Sequence, residues 1–203
     1  LNNGVPGDKS VDIANDRIVG VLQRHPDMSH LLLTIGVNDA GGAAFTDSGL
    51  GCVGANCDGT FAGYVQEIVD EAVAAGATVV LAQTPPRFGD PLQTPHPSAE
   101  THPQNALIEN EYNEVILNQI SGALPGPDFF DFFLGEENRF YLYETNLHPN
   151  ALGYHAMALL FDQVLSGSTV EPFFASNLCV RDSLAGTCES PLSYKQNLLD
   201  VGG

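Results

Sequence analysis

Two polar side chains with chemical potential stand at the ends of predicted regular elements. His148 directly precedes a helical pattern, and imidazole can serve as a general base and then as a general acid near neutrality. Asn38 follows an apolar run, and its uncharged amide can donate two hydrogen bonds to the oxyanion of a tetrahedral intermediate. Taken singly, such a histidine is more often a surface residue and such an asparagine a turn residue. As a pair at the ends of regular elements, they indicate a catalytic site.

A loop glycine near the start of the chain is a third candidate. Gly7 could present its backbone N–H to the same oxyanion. The three candidates belong to segments that occur in one order along the chain: a glycine loop, Gly36-Val37-Asn38-Asp39, and His148-Pro149-Asn150-Ala151-Leu152-Gly153-Tyr154. This ordered set is more specific than any of its members.

The elements that must position these residues alternate between helix and strand. Apolar periodicity predicts helices from Ser10 to before Pro26 and over 60–75, 105–121 and 150–165, and strands over 30–35, 78–82, 128–133 and within 170–180. The strand over 30–35 is expected to be buried on both faces. Such alternation predicts a parallel sheet flanked by helices, whose reactive groups gather at the carboxyl ends of the strands.

Several polar residues are expected to serve local structure. Ser10 is suited to cap the first helix, and Asp8, Asp39 and Asp58 are suited to cap turns. Pro149 is expected in the first turn of the helix that follows His148. The phenylalanines of the 128–133 segment are expected to fill the core.

Composition narrows the classes of function. The chain has 203 residues, 43% of them hydrophobic, which suits one domain with a sizeable core. The formal charge of −18 disfavours binding to nucleic acid or to anionic membranes, and no apolar run is long enough to span a membrane. Neutral or polymeric ester substrates remain compatible. Because the chain begins without methionine, we expect it to be processed, trimmed or incomplete.

The four cysteines fall as two close pairs, Cys52 with Cys57 and Cys179 with Cys188. Each pair lies in a glycine-rich or polar loop, which favours two local disulfides over four unrelated thiols. Two disulfides indicate an oxidising compartment, so we expect a secreted or periplasmic protein. The spacing does not match a zinc site, and no metal is expected.

The ordered set of motifs resembles the SGNH (GDSL-type) serine hydrolases over about residues 1–166. The resemblance implies that Gly7 and Asn38 form the oxyanion hole and that His148 is the catalytic histidine. It further implies a three-layer α/β/α sandwich around a central parallel sheet, of the flavodoxin-like kind. The implied reaction is hydrolysis of acyl or acetyl esters without metal or cofactor.

The chain departs from this family at the position that orients the histidine. The family places an aspartate three residues before it, where this chain has Thr145. Threonine can accept or donate a hydrogen bond but cannot offset the charge of an imidazolium. Glu144 or a backbone carbonyl could orient His148 instead, and losing the carboxylate weakens the selection of the tautomer.

The larger departure concerns the nucleophile. The family's Gly-Asp-Ser block should precede Gly7 by a few tens of residues, and the nearest counterpart here is Arg181-Asp182-Ser183. Either the chain is circularly permuted and Ser183 is the nucleophile, or the serine lies outside this chain. The segment 168–203 is accordingly either the permuted first strand and helix of the 1–167 core or the start of a linker to another domain.

The expected function is therefore that of a serine esterase acting on a small-molecule or polysaccharide-linked ester. The alternative is a non-catalytic carbohydrate-binding or structural module on the same fold, with its nucleophile lost. An assay with a short-chain p-nitrophenyl ester separates the two. The sequence specifies neither the acyl-chain preference nor the oligomeric state.

Overall fold

The computed structural model describes residues 3–41, 50–52, 57–88, 103–135, 142 and 148–167, and the backbone of 180–181 and 188–189. The chain forms two compact units. The first comprises Leu1–Pro86 and His102–Phe130, and the second Arg87–Thr101 and Asp131–Gly203. The division predicted between residues 167 and 168 stays a prediction.

Apart from the short helix Val37–Ala40, the described elements alternate between helix and strand as predicted through residue 118. The helices are α1 (Ser10–Asp12), α2 (Ile18–Arg24), α3 (Val37–Ala40), α4 (Phe61–Ala74), α5 (Pro103–Leu107), α6 (Glu114–Asn118), α7 (Phe129–Leu134) and α8 (Ala151–Ser166). The strands are β1 (His30–Leu33), β2 (Thr78–Leu81), β3 (Ala123–Pro125), β4 (Val180–Arg181) and β5 (Cys188–Glu189). Two π-helical turns, Ile13–Arg17 and Ile108–Asn113, join α1 to α2 and α5 to α6.

Three strands of the first unit form a parallel sheet in the order β1-β2-β3. Helices connect the strands, since parallel neighbours require crossovers. The parallel sheet with flanking helices predicted from the sequence is therefore confirmed. The carboxyl end of β1 leads into the short helix that contains Asn38, and that of β2 into the segment that contains Thr84.

Helix α4 covers one face of this sheet. Leu31, Val79 and Ala123 stand side by side in the strand register and pack with Val69 and Ala72 of the helix. Thr60 caps the helix, because its hydroxyl accepts a hydrogen bond from the N–H of Gly63 at 3.0 Å. The predicted helix over 60–75 and its apolar face are confirmed.

The opposite face of the sheet is more exposed to solvent than the sequence predicts for the 30–35 strand. Val80 of the middle strand is fully buried, but its register neighbours Leu32 and Leu124 are 44% and 51% exposed. The prediction that the 30–35 strand is buried on both faces was wrong. In the described sheet β1 is an outer strand, and only β2 has a strand on each side.

The phenylalanine-rich segment over 128–133 is a helix and not the predicted strand. Phe129, Phe130 and Phe133 are buried while Asp131 is exposed, which is the spacing of a helical face. The aromatic residues raised the strand propensity of this segment, but packing of one helical face against the core outweighed it. These three rings fill the core as expected, and the third strand of the sheet is Ala123–Pro125 instead.

The remaining strands form a separate pair. Val180–Arg181 pairs antiparallel with Cys188–Glu189 as a two-stranded sheet of its own. Apart from Val180, the strand predicted within 170–180 lies outside the described residues, and so does the side chain of Cys188 on which the predicted second disulfide depends. The first predicted disulfide, Cys52–Cys57, is confirmed, with its Cα atoms 4.3 Å apart.

Candidate functional site

The loop after β1 reverses direction through a glycine. Gly36 adopts the left-handed conformation, with φ of 114°, and serves as the N-cap of the short helix α3. Its carbonyl accepts a hydrogen bond from the N–H of Ala40 at 2.8 Å. This turn places Asn38 and Asp39 beside the carboxyl end of the strand, the edge at which parallel sheets carry their reactive groups.

Asn38 is linked through its side chain to the loop that contains Gly7. One N–H of the Asn38 amide donates to the carbonyl of Asp8, with the nitrogen 2.9 Å from the oxygen. An amide nitrogen carries two hydrogens, so a second N–H remains for another acceptor. The structure therefore brings Asn38 close to the residue that follows Gly7, 30 positions away in sequence.

Gly7 is exposed and has a conformation that favours glycine. Its φ is 85°, and no atom lies within 4 Å of the place where a Cβ would stand. The following N–H, that of Asp8, donates to the carbonyl of Val5 at 3.3 Å and closes a turn. Because the backbone of Gly7 is exposed, a ligand could reach its N–H, which is compatible with the predicted role of Gly7.

A buried hydrogen-bonded pair lies next to these two residues. The backbone N–H of Ser10 donates to both carboxylate oxygens of Asp39, at 3.0 and 3.3 Å, and the Ser10 hydroxyl donates to one of them at 2.7 Å. Neither residue is exposed to solvent. The local roles expected of them were wrong: Lys9 is the N-cap of the helix, and Asp39 bonds a residue 29 positions away instead of capping its own turn.

Burial dominates the electrostatics of Asp39. It raises the pKa of the carboxyl above its ordinary value, while the hydrogen bonds from Ser10 oppose the shift. Tyr112, on the π-helical turn Ile108–Asn113, is buried as well, and burial together with the charge of Asp39 raises the pKa of its phenol. Sequence reasoning missed the Ser10–Asp39 pair. Its only signal was an aspartate directly after the candidate oxyanion asparagine.

The residue after Gly7 also forms an ion pair. The Nε atom of Arg17 is 2.6 Å from a carboxylate oxygen of Asp8. Arg17 belongs to the π-helical turn Ile13–Arg17, and such turns occur frequently at functional sites. Because the Arg17 side chain is 41% exposed, solvent screens the pair and its contribution to stability is small.

A second buried network supports the turn at Gly36 from the end of β2. Thr84 Oγ1 donates to the carbonyl of Ile35 at 2.6 Å, and the Thr84 N–H donates to Asn113 Oδ1 at 2.7 Å. Asn113 returns a hydrogen bond to the Thr84 carbonyl at 3.3 Å. Two strand ends and a π-helical turn are thereby joined through satisfied buried polar groups, which hold the loops of the candidate site in place.

His148 is exposed and precedes helix α8. The N-cap of this helix is Asn150, whose side chain accepts hydrogen bonds from the N–H groups of Leu152 and Gly153 at 3.0 Å. Pro149 is buried and stands before the cap, so its predicted place in the first turn was wrong by two positions. The backbone N–H of Asn150 donates to the carbonyl of Leu142 at 2.7 Å, which anchors the start of the helix.

The structure describes three of the four predicted site residues. Gly7 and Asn38 lie in the first compact unit and His148 in the second. Ser183, together with Glu144 and Thr145, lies outside the described residues. The assignments of catalytic and oxyanion-binding roles therefore stay predictions.

Two features are absent from the part of the chain that the structure describes. Among those residues, no group of three or more histidine, cysteine, aspartate or glutamate side chains is arranged to hold a metal ion. No helix within the described ranges has the length and apolar character needed to cross a membrane.

Two solved structures resemble the chain at low sequence identity. One is protein YXIM from Bacillus subtilis, at 21% identity and a TM-score of 0.54, with 82% of this chain and 45% of that chain covered. The other is a putative acylhydrolase from Bacteroides fragilis, at 20% identity and a TM-score of 0.50, with 82% and 74% covered. These likenesses establish the fold. The chain spans less than half the length of the Bacillus subtilis protein.

A protein family matches the sequence over most of its length. No curated protein matches the sequence at a significant level. The profile of the GDSL-like Lipase/Acylhydrolase family, in contrast, matches residues 1–156, which include Gly7, Asn38 and His148. The match covers most of the chain and agrees with the parallel sheet and its flanking helices. The chain belongs to the GDSL-like lipase/acylhydrolase family of hydrolases.

Proposed function

We propose that the chain is a serine esterase that hydrolyses short acyl or acetyl esters, with Asn38 and Gly7 as oxyanion donors and His148 as the base. Membership of an acylhydrolase family supports the reaction class. The observation that carries the assignment is the Asn38 amide in the short helix α3, which follows β1. One of its N–H groups is fixed on the Asp8 carbonyl at 2.9 Å, which leaves the second to meet an oxyanion.

The proposed reaction has two halves. A serine hydroxyl attacks the ester carbonyl while His148 takes its proton, and the carbonyl oxygen becomes an oxyanion that Asn38 and Gly7 stabilise. The tetrahedral intermediate collapses to an acyl-enzyme, and the alcohol leaves with the proton returned by His148. Water then attacks the acyl-enzyme by the same route, which releases the carboxylic acid and restores the serine.

The nucleophile is either Ser183 or a serine outside this chain. For Ser183, the supporting features are the neighbouring Asp182 and the strand Val180–Arg181 just before it, since the family's Gly-Asp-Ser block also belongs to a strand. Arg181 stands where the family has glycine, which favours a serine outside this chain. Orientation of His148 by Glu144, Thr145 or a backbone carbonyl belongs to the same proposal, because each lies close to it along the chain.

The proposed substrate is an uncharged small-molecule ester or an ester attached to a polysaccharide, and the proposed location is secreted or periplasmic. The charge of −18 supports a neutral substrate, since it repels polyanions. The Cys52–Cys57 disulfide supports an oxidising compartment, because such bonds are rare in a reducing cytosol.

The proposal is tested with p-nitrophenyl acetate and the variant Asn38→Ala. We expect kcat to fall by about 10²- to 10³-fold, as for removal of one oxyanion donor. The control is Asn110→Ala, which removes an exposed asparagine amide that donates to the Ala106 carbonyl at 2.9 Å. A wild-type chain without turnover would exclude Ser183 as the nucleophile and would favour either a serine outside this chain or the non-catalytic alternative. Equal kcat values for the Asn38 and Asn110 variants would contradict the role of Asn38.

The nucleophile is identified in the same assay. Loss of turnover in Ser183→Ala, with the fold retained, would assign the nucleophile to Ser183. Full activity in that variant would exclude Ser183 and would also contradict a nucleophile outside this chain, since the attacking serine would then belong to the chain. Reaction of the wild-type chain with a fluorophosphonate probe, followed by mass spectrometry of its peptides, would then locate the reactive serine.

A further inference from the structure

We infer that Ser10 and Asp39 are positioning residues that hold the Gly7 loop and the Asn38 turn in one fixed arrangement. The catalytic part of this inference rests on the proposed function, because it concerns the two proposed oxyanion donors. The structural part stands on the hydrogen bonds between the two segments and can be measured without turnover.

Two adjacent links join the segments. Asp8 accepts from the Asn38 amide at 2.9 Å, and two residues later Ser10 donates to Asp39 at 3.0 Å through its N–H and at 2.7 Å through its hydroxyl. A single link would fix a distance and leave the segments free to rotate about it. A second link on neighbouring residues removes that rotation, so the orientation of the Asn38 amide relative to the Gly7 loop is set.

The energetics of the pair favour a role in geometry over a role in stability. A carboxylate taken out of water carries a large desolvation penalty, and burial is the dominant influence on the pKa of Asp39. Among the described residues, no lysine or arginine forms a salt bridge with Asp39, and the charge of Lys9 together with the hydrogen bonds from Ser10 offsets only part of this penalty. An apolar pair of similar volume would often be at least as stable. The carboxylate of the fully buried Ser10–Asp39 pair is therefore explained by the arrangement of the Gly7 loop and the Asn38 turn that it fixes.

The structural readout is the Asn38 side-chain amide in isotope-labelled full-length protein, observed by NMR. We expect Ser10→Ala and Asp39→Asn to shift its two N–H signals and to speed their exchange with solvent by about tenfold, because the link that holds the turn is weakened. Asp39→Asn is the safer variant to fold, since the neutral amide keeps the shape of the carboxyl and avoids burying a charge.

The matched control is Thr60→Ala. Thr60 is likewise a buried hydroxyl residue of the first unit at a helix start, and its hydroxyl donates to the Cys57 carbonyl at 2.7 Å. Its removal is expected to lower stability without changing the Asn38 signals. If Ser10→Ala and Asp39→Asn leave those signals as in the wild type, the inference is overturned.

The kinetic readout separates this inference from the proposed function. We expect both positioning variants to lower kcat for p-nitrophenyl acetate by about 10- to 100-fold with little change in KM, as a displaced catalytic group does. In an Asn38→Ala background the same changes should have little further effect. If Asn38→Ala lowers kcat but the positioning variants do not, the proposed function stands and this inference fails. If Asn38→Ala has no effect, the oxyanion role fails, while the NMR result still decides whether the link exists.

Discussion

The hydroxyl of Thr84 occupies the space that a side chain at position 36 would need. A Cβ built on Gly36 would lie 2.5 Å from Thr84 Oγ1, which itself donates to the Ile35 carbonyl at 2.6 Å. Because the φ of Gly36 is 114°, a side chain at this position would also be strained regardless of space. The turn that delivers Asn38 therefore depends on a glycine and a threonine from two different strand ends.

Replacing that glycine is expected to destabilise the first unit. Gly36→Ala should lower the free energy of unfolding by about 2 kcal/mol or more, since the backbone conformation and the Thr84 contact both oppose a side chain. Urea unfolding followed by circular dichroism measures the change. The control is Gly20→Ala in helix α2, where the added Cβ would meet only the flexible end of Arg24. Comparable losses in the two variants would contradict the explanation.

Asp39 is expected to make stability depend on pH in a defined direction. Burial raises its pKa in the folded chain above the ordinary value of 3.8, so the folded state binds more protons than the unfolded state between those two values. Its contribution to stability is therefore present below the unfolded pKa and is lost as pH rises through the folded pKa. Other carboxyl groups titrate in the same range, so the difference between wild type and Asp39→Asn isolates this group.

The measurement is urea unfolding of wild type and Asp39→Asn between about pH 4 and pH 7. The wild type should lose stability relative to the variant as pH rises across this window. A difference that stays constant, or that moves in favour of the wild type, would contradict a raised pKa.

The Cys52–Cys57 disulfide is expected to stabilise the start of helix α4. The Cys57 carbonyl accepts from the N–H and the hydroxyl of the N-cap residue Thr60, at 3.1 and 2.7 Å, and the Cys52 N–H donates to Gln119 at 2.9 Å. Replacing both cysteines with serine should cost about 2 kcal/mol, which is the loop entropy of so short a closure. Thermal unfolding measures the loss. An unchanged melting temperature would show that the loop is held without the bond.

His148 is expected to be essential for turnover but not for folding. His148→Ala should lower kcat for p-nitrophenyl acetate by about 10³-fold or more, since the general base is removed. The side chain is exposed, so the melting temperature should change little. The matched control is His155→Ala, which removes an exposed histidine from helix α8 and should retain activity. Equal activity of the two variants would exclude His148 as the base.

Local patterns in the sequence were sufficient for most of the elements of the first unit. The apolar spacing of Phe61, Val65, Ile68, Val69 and Ala72 predicted α4 and its buried face, because one helix carries that signal entirely within itself. The segment over 128–133 failed because aromatic residues suit a strand or a buried helix equally. Packing against neighbouring elements decided between the two. The burial of the 30–35 strand was misjudged because it also depends on neighbouring elements, and in the described sheet this strand has a partner on one side only.

The sequence by itself determined the hydrolase family, the main helices and strands as far as helix α6, the close pairing of Cys52 with Cys57, and the candidates Gly7, Asn38 and His148. All of these are carried by residue types at short, fixed spacings. Only the tertiary structure decided three hydrogen bonds: from Asn38 to the Asp8 carbonyl, from Ser10 to the Asp39 carboxylate, and from Thr84 to the Ile35 carbonyl beside the turn at Gly36. Each of these contacts joins residues 29 or more positions apart, and no local propensity specifies which distant partner satisfies a buried polar group.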